Sequence, residues 1–216
     1  MSHPAFSQGL LHVAVITGQH VFDVPGFQAL WRSLPGIKAY IQDLDNWAAD
    51  EGRVRAAYDA LVFYNYHRQG PEGRVRAALE ALGETPQGVV LLHHAILAYP
   101  NWPLWAKLTG IAERSFKYYH GERLNIHVAD ADHPITQGLT DWQMVDETYL
   151  MADASADSRV LLTTDHERSM HTIAWTRQYG QARVLCLESG HDNETYVDAS
   201  FRAVLARGVR WAAGQA

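Results

Sequence analysis

Apolar residues change their spacing several times along the chain, and each change marks an element. LLHVAVIT (10–17) is apolar at nearly every position, as in a strand covered on both faces. VPGFQALWRSL (24–34) instead sets Phe27, Leu30, Trp31 and Leu34 three or four apart, the spacing of a helix with one buried face. IKAYIQDL (37–44) and ALVFYN (60–65) read as second and third strands. PEGRVRAALEALG (71–83) predicts a helix: Pro71 and Glu72 stand near its start, Val75, Ala78, Leu79 and Leu82 share a face, and Gly83 stops it. GVVLLHH (88–94) is a fourth strand.

Strands of continuous apolar character alternating with helices predict a parallel sheet in an α/β, doubly wound fold. The second half is less regular. Stretches 124–130, 143–151, 159–165, 170–178 and 183–189 all read as extended, and YGQA (179–182) has the composition of a hairpin turn, so an antiparallel extension is expected there. ASFRAVLARGVRWAAG (199–214) predicts a closing helix with Phe201, Val204, Leu205, Val209 and Trp211 towards the core. No repeat, low-complexity tract or linker divides the chain, and residues 1–216 are expected to form one domain.

Composition narrows the function classes. A net charge of −6, with 18 scattered Lys and Arg, excludes the basic stripe expected of a nucleic-acid binder. The single cysteine, Cys186, excludes an internal disulfide framework and a cysteine-rich zinc finger. The first residues lack a basic segment followed by a long apolar one, and no apolar run is long enough to span a bilayer, so a soluble, cytoplasmic protein without membrane partners is the expectation.

Ligands of open parallel sheets bind beyond the carboxyl ends of the strands, where loops converge. The residues following the strands are therefore candidates: Gln19, His20 and Asp23 after the first, Tyr64, Asn65, Tyr66 and His67 around the end of the third, His93-His94 after the fourth, and Glu188 to Asp192 after the last. Each histidine alone reads more readily as a loop or capping residue than as a catalyst, but convergence of His20, His94 and His191 on one rim would make a reactive pocket. Histidine titrates near neutrality, so one of the three could act as general acid or base, with Asp23, Glu147 or Asp192 fixing its tautomer. Alternatively, neutral imidazoles and a carboxylate could hold a divalent metal such as zinc, with His20, His94 and His191 as the expected ligands. No HExxH or HxH spacing decides between these. Asp146 and Glu147 are adjacent and must face opposite sides of a strand, and Glu147 is the expected inward residue.

Five motifs together resemble one family. TGQHVFD (17–23), GVVLLHHAIL (88–97) with NWPLW (101–105), DHPITQGL (132–139) with VDETY (145–149), IAWTRQYGQARVLCLESGHD (173–192) and FRAVLARGVRWAAG (201–214) resemble, in that order, the motifs of the ThuA-like family, named for trehalose utilisation. The resemblance implies a flavodoxin-like, class I glutamine amidotransferase-like fold. In that fold a cysteine nucleophile sits on a sharp turn after a central strand; here the turn carries His93-His94, followed by Ala95. Cys186 lies inside the apolar strand RVLCLES, where a small hydrophobe is its expected role. Thiol-dependent glutaminase activity is therefore not expected, and His191 resembles the fold's triad histidine in its place after the last strand.

The family's link to sugar metabolism implies a carbohydrate or 3-keto-sugar ligand. Catalytic roles are expected for His20, His94, His191 and Glu147, and ligand contacts for Gln19, Asp23, Tyr64, Asn65, His93, Trp102 and Asp192. Tyr64, Tyr66, Trp102 and Trp105 are candidates to stack on a sugar ring, although packing is the commoner role of such aromatics. His133, before Pro134, reads as structural, and Arg202, Arg207 and Arg210 as a solvated helix face. The aromatic run Phe116 to His120 reads as a homodimer contact, and equally as part of the core or a lid. A metal-dependent sugar hydrolase or lyase, and a non-catalytic sugar-binding or assembly protein, are the alternatives to acid/base catalysis.

Overall fold

The structure, a computed structural model, describes residues 6–50 and 53–215. In chain order the elements are β1 (Leu11–Gly18), α1 (Val24–Ser33), β2 (Ile37–Asp43), α2 (Leu44–Ala49), β3 (Ala60–Asn65), α3 (Gly73–Glu80), β4 (Gly88–Leu92), α4 (Pro103–Thr109), β5 (Lys117–Val128), β6 (Trp142–Leu150), β7 (Arg159–Thr163), β8 (Thr172–Tyr179), β9 (Ala182–Leu187), α5 (Asn193–Tyr196) and α6 (Ala199–Ala212). The nine strands lie in the order β2-β1-β3-β4-β9-β8-β7-β5-β6. The first five in that order run parallel, and the remaining pairings are antiparallel.

The continuous apolar character of the parallel strands follows from their burial on both faces. Val13 and Val15 of β1, with Val62, Val90 and Leu185, pack on one side with Phe27, Leu30 and Trp31 of α1 and Phe201, Val204 and Leu205 of α6. Their neighbours Ala14 and Ile16, with Phe63, Leu91 and Cys186, pack on the other with Trp47, Leu79 and Trp105. Each fully buried Leu or Phe contributes about 1.5–3 kcal/mol by leaving water, so both faces must be filled for the sheet to hold.

Differences from the sequence expectations have local causes. The strand expected over 37–44 ends at Asp43, whose carboxylate caps α2 by accepting from Asp45 N at 2.8 Å. The short helices α2 and α4 span six and seven residues, too few for an apolar period to emerge. β5 begins at Lys117 and not at Leu124, because its first half is exposed on both sides of a bulge between Tyr119 and Glu122. Only His127 and Val128 of β5 pair with β7. The rest pairs with β6, and this hairpin returns to the carboxyl end of β9: Tyr149 N donates to Glu188 Oε1 at 2.9 Å, and Gly190 N donates to Asp146 Oδ2 at 2.7 Å.

Arg202, Arg207 and Arg210 are half-buried and not a free solvated face. Arg202 donates to Tyr196 O, Arg207 to Gln137 O, and Arg210 to Pro35 O. His133 is structural as expected, buried against Trp211 with Nδ1 accepting from Ile135 N. Among the described residues, no helix is long and apolar enough to cross a membrane.

Candidate functional site

The carboxyl ends of β1, β3, β4 and β9 form one edge, and β4 breaks sharply there. His93 to Leu97 form a single 3-10 turn, with His93 at φ 52°, the left-handed region that residues other than glycine uncommonly enter. Holding it there costs about 1–3 kcal/mol, which surrounding bonds must offset. His93 Nδ1 donates to Glu188 O at 2.7 Å, and Tyr149 Oη lies 2.8 Å from Nε2. The turn also explains the paired imidazoles. On a straight strand they would diverge, whereas here the two rings sit edge to face, 5.3 Å apart.

Around this turn lies a cleft of about 340 Å³, lined by His20, His94, His120, Glu147, Tyr149 and His191, with Tyr66, Phe116 and Tyr118 among its aromatic walls. His191 Nδ1 is 3.2 Å from His93 Nε2. Glu147 Oε1 is 3.4 Å from His93 Nε2 and 3.6 Å from His191 Nδ1, and its other oxygen is 2.7 Å from His120 Nδ1. His20 stacks on His94 with centroids 4.0 Å apart. A larger groove of about 1050 Å³ adjoins the cleft at Tyr66 and Arg68, but His67 is the only imidazole in its lining. The reactive groups therefore concentrate in the smaller space.

Protonation follows from burial and neighbours. Burial, and then the adjacent His93, lowers His20 and His191 below the ordinary histidine value; burial lowers His94 further, with His93 and His20 adding to it. These three are neutral imidazoles at pH 7. Burial would raise the Glu147 carboxyl, but the hydrogen bond and charge of His93, then His191, outweigh it and hold Glu147 below its ordinary value. Burial, with Glu147 nearby, pushes the Tyr149 phenol far up, so it keeps its proton. Glu188 is pushed up by burial and by Asp146. Burial raises Asp146 as well, against the pull of His93 and of the N–H groups of Gly190 and His191.

Of the residues expected from sequence, His20, His94, His191 and Glu147 share the cleft. His94 is only 1% exposed and donates from Nε2 to Tyr64 O, so it forms floor more than rim. His93, expected only to touch ligand, lies at the centre of the cluster. The donor atoms that meet as a potential metal group belong to His93, Glu147 and His191, in place of the expected His20, His94 and His191.

The residues expected to contact ligand lie outside the lining of the cleft. Tyr64 is buried: its ring stacks on Phe27 and its hydroxyl lies 2.8 Å from Tyr196 Oη and donates to Gly190 O. Asp23 caps α1 and accepts from Asn193 Nδ2 at 2.6 Å, and Asp192 caps α5, so both serve helix starts. Asn65 is fully buried beside His67 and Tyr99. Gln19 lines the neighbouring groove, Trp102 precedes α4 against Tyr99, and Trp105 is core, donating to Ala95 O. Of the four proposed stacking aromatics only Tyr66 reaches the cleft.

Sequence reasoning missed Tyr149 and His120 as site residues. Both obey strand alternation: Tyr149 lies two residues from Glu147, and His120 two from Tyr118, so each pair shares a face. Cys186 is fully buried, and burial drives its thiol far above the ordinary value. It is no nucleophile in the folded protein.

A family model described as trehalose utilisation matches residues 35–212. No curated protein matches the sequence significantly. Among solved structures, a ThuA-like protein from Parabacteroides merdae superposes with a TM-score of 0.76 at 20% identity, covering 94% of this chain and 90% of that one. A ThuA-like protein from Bacteroides uniformis gives 0.71 at 19% identity, covering 98% and 95%. A glutamine amidotransferase from Thermotoga maritima gives 0.51 at 11% identity, covering 94% and 98%. At these identities the likenesses establish a shared fold.

Proposed function

The chain belongs to the ThuA family, described as trehalose utilisation, and from that premise we propose that it is an enzyme of carbohydrate metabolism whose cleft accepts a keto-bearing sugar and moves a proton beside the carbonyl. The observation carrying this reading is the convergence of three neutral imidazoles and one ionised carboxylate, from four separate segments, in a single aromatic-walled cleft. A neutral imidazole is suited to accept a proton at pH 7, and a carbon-bound proton next to a ketone is acidic enough to be taken by one.

His20 is assigned as the base. Its ring lines the cleft and is braced by the stacked His94. As the C–H bond breaks, its electron pair moves into the carbonyl, and the oxygen gains negative charge. Collapse of that enolate expels a glycosidic oxygen on the adjacent carbon, which must gain a proton on leaving, or returns a proton to carbon with isomerisation. The neutral Tyr149 phenol, which donates to His93 Nε2 at 2.8 Å, is the donor that would turn to the developing oxyanion.

The test is a screen of nitrophenyl 3-keto-glycosides, following phenolate release with native protein and His20→Gln. The expected result is turnover that falls at least about 100-fold in the variant, the lower range of general-base contributions. Absence of turnover across the series, or full activity in His20→Gln, would contradict the assignment.

A further inference from the structure

We propose that His93, Glu147 and His191 form the protein side of a tetrahedral divalent-metal site of the zinc type, with its fourth position open to the cleft. The inference rests on the sugar-enzyme reading for its use but not for its evidence, which is geometric. The three donor atoms are separated by 3.2, 3.4 and 3.6 Å. Ligands about 2.0–2.1 Å from a tetrahedral ion stand about 3.4 Å apart, whereas octahedral neighbours would be about 3.0 Å apart. The cluster thus already has the edge lengths of a tetrahedral face.

His93 Nδ1 donates to Glu188 O, so Nε2 is the nitrogen turned towards the cluster; it lies 2.8 Å from the Tyr149 hydroxyl, 3.2 Å from His191 Nδ1 and 3.4 Å from Glu147 Oε1. The competing arrangement is a hydrogen-bonded cluster in which Tyr149 donates to Nε2, and a bound ion would take that lone pair in its place.

The surroundings match a working metal centre. Histidine ligands of metals ordinarily donate their second N–H to a carbonyl or carboxylate, as His93 does to Glu188 O. Glu147 is held from behind by His120 at 2.7 Å, and the backbone of His191 is pinned by Asp146 at 3.0 Å. His93 is fully buried while Glu147 and His191 line the cleft, so an ion here sits at its floor. Two histidines and a carboxylate with an open position are the ligand set of a catalytic zinc rather than a structural one.

The test is metal binding by the full chain, independent of any sugar. Protein treated with chelator is titrated with Co²⁺ and Zn²⁺, and followed by bound metal per chain and by the visible spectrum of Co²⁺. The native protein, Glu147→Gln, His191→Asn and a surface control, His127→Asn, are compared after circular dichroism confirms that each is folded. The expected result is about one ion per chain with a tetrahedral Co²⁺ spectrum, weakened more than about 100-fold in both cleft variants, beyond the range of outer-shell changes, and unchanged in His127→Asn. Native protein that takes up neither ion, or cleft variants that bind as well as native, would overturn the site and leave a hydrogen-bonded cluster alone. Metal binding without keto-glycoside turnover would retain the site and remove the sugar reading. Turnover in chelator-treated protein that Zn²⁺ does not change would refute the ion's use and keep that reading.

Discussion

Asp146→Asn tests how the site is held together. The carboxylate of Asp146 is buried and accepts three backbone N–H groups: Oδ1 takes Glu147 N at 2.8 Å and His191 N at 3.0 Å, and Oδ2 takes Gly190 N at 2.7 Å. It thereby fastens the loop carrying His191 to the strand carrying Glu147. An asparagine can keep the first two bonds with its amide oxygen, but its NH₂ then faces Gly190 N–H, donor against donor. One bond to a charged group is lost and one buried N–H is stranded, and these overlapping penalties amount to about 2–4 kcal/mol. For a chain of this length each kcal/mol moves Tm by about 2–4 °C, so a fall of roughly 4–16 °C is expected. Calorimetric melts of native protein, Asp146→Asn and Asp146→Ala, all metal-free, provide the assay. Asp146→Ala should be the less stable variant, because all three donors lose their partner. An Asp146→Asn protein within about 0.5 kcal/mol of native, the range of ordinary surface changes, would refute this reasoning.

Three further outcomes are expected. Tyr118 is 58% exposed on the cleft wall, so Tyr118→Ala should raise KM for a keto-glycoside about tenfold, from roughly 1–1.5 kcal/mol of lost ring contact, while a melt moves little; unchanged KM would exclude stacking there. Cys186 should resist thiol reagents in the folded protein and react fully in denaturant, and Cys186→Ala should keep its activity; modification of the native protein with loss of turnover would restore a thiol mechanism. On the surface, Asp141 raises His127 by hydrogen bonding, and His127 lowers Asp141 likewise, from ordinary values of 6.5 and 3.8. The His127 contribution is full below its unfolded value and fades as pH rises through the raised one. The Asp141 contribution is present above its unfolded value and is lost as pH falls through the lowered one, so the pair stabilises most between about pH 4 and 6.5. An NMR titration of His127 should have its midpoint above 6.5 and lose that shift in Asp141→Asn; a native midpoint at or below 6.5 would contradict the pairing.

The parallel half of the fold was legible because its signals are local. Strands such as LVFY and VVLL show two-sided burial directly, and the spacing of Phe27, Leu30 and Trp31 shows a one-sided helix. The rule that ligands gather beyond strand ends located His20, His94 and His191. What stayed hidden depends on contacts between distant segments. Nothing in KYYHGER announces that β5 carries on from LNIHV or that its hairpin with β6 folds back to β9, yet that return brings Glu147, Tyr149 and His120 to the cleft. The family resemblance put a turn at His93-His94, but nothing in the sequence shows that its left-handed backbone swings His93 to the centre of the cluster. Tyr64 and Trp105 could not be told from rim aromatics by type, because a buried tyrosine needs only a partner for its hydroxyl, and the one that Tyr64 finds, Tyr196, lies far along the chain.

The central claim is that this cleft removes a proton next to a sugar carbonyl, and the most direct measurement is hydrogen exchange at that carbon. A 3-keto-glycoside is incubated in D₂O with native protein and with His20→Gln, and the signal of the carbon-bound hydrogen is followed by NMR whether or not the glycoside breaks down. Loss of that signal with native protein, well above the buffer rate and strongly slowed in His20→Gln, is the result this account requires. Exchange at the buffer rate with native protein, or equal rates with both proteins, would contradict it.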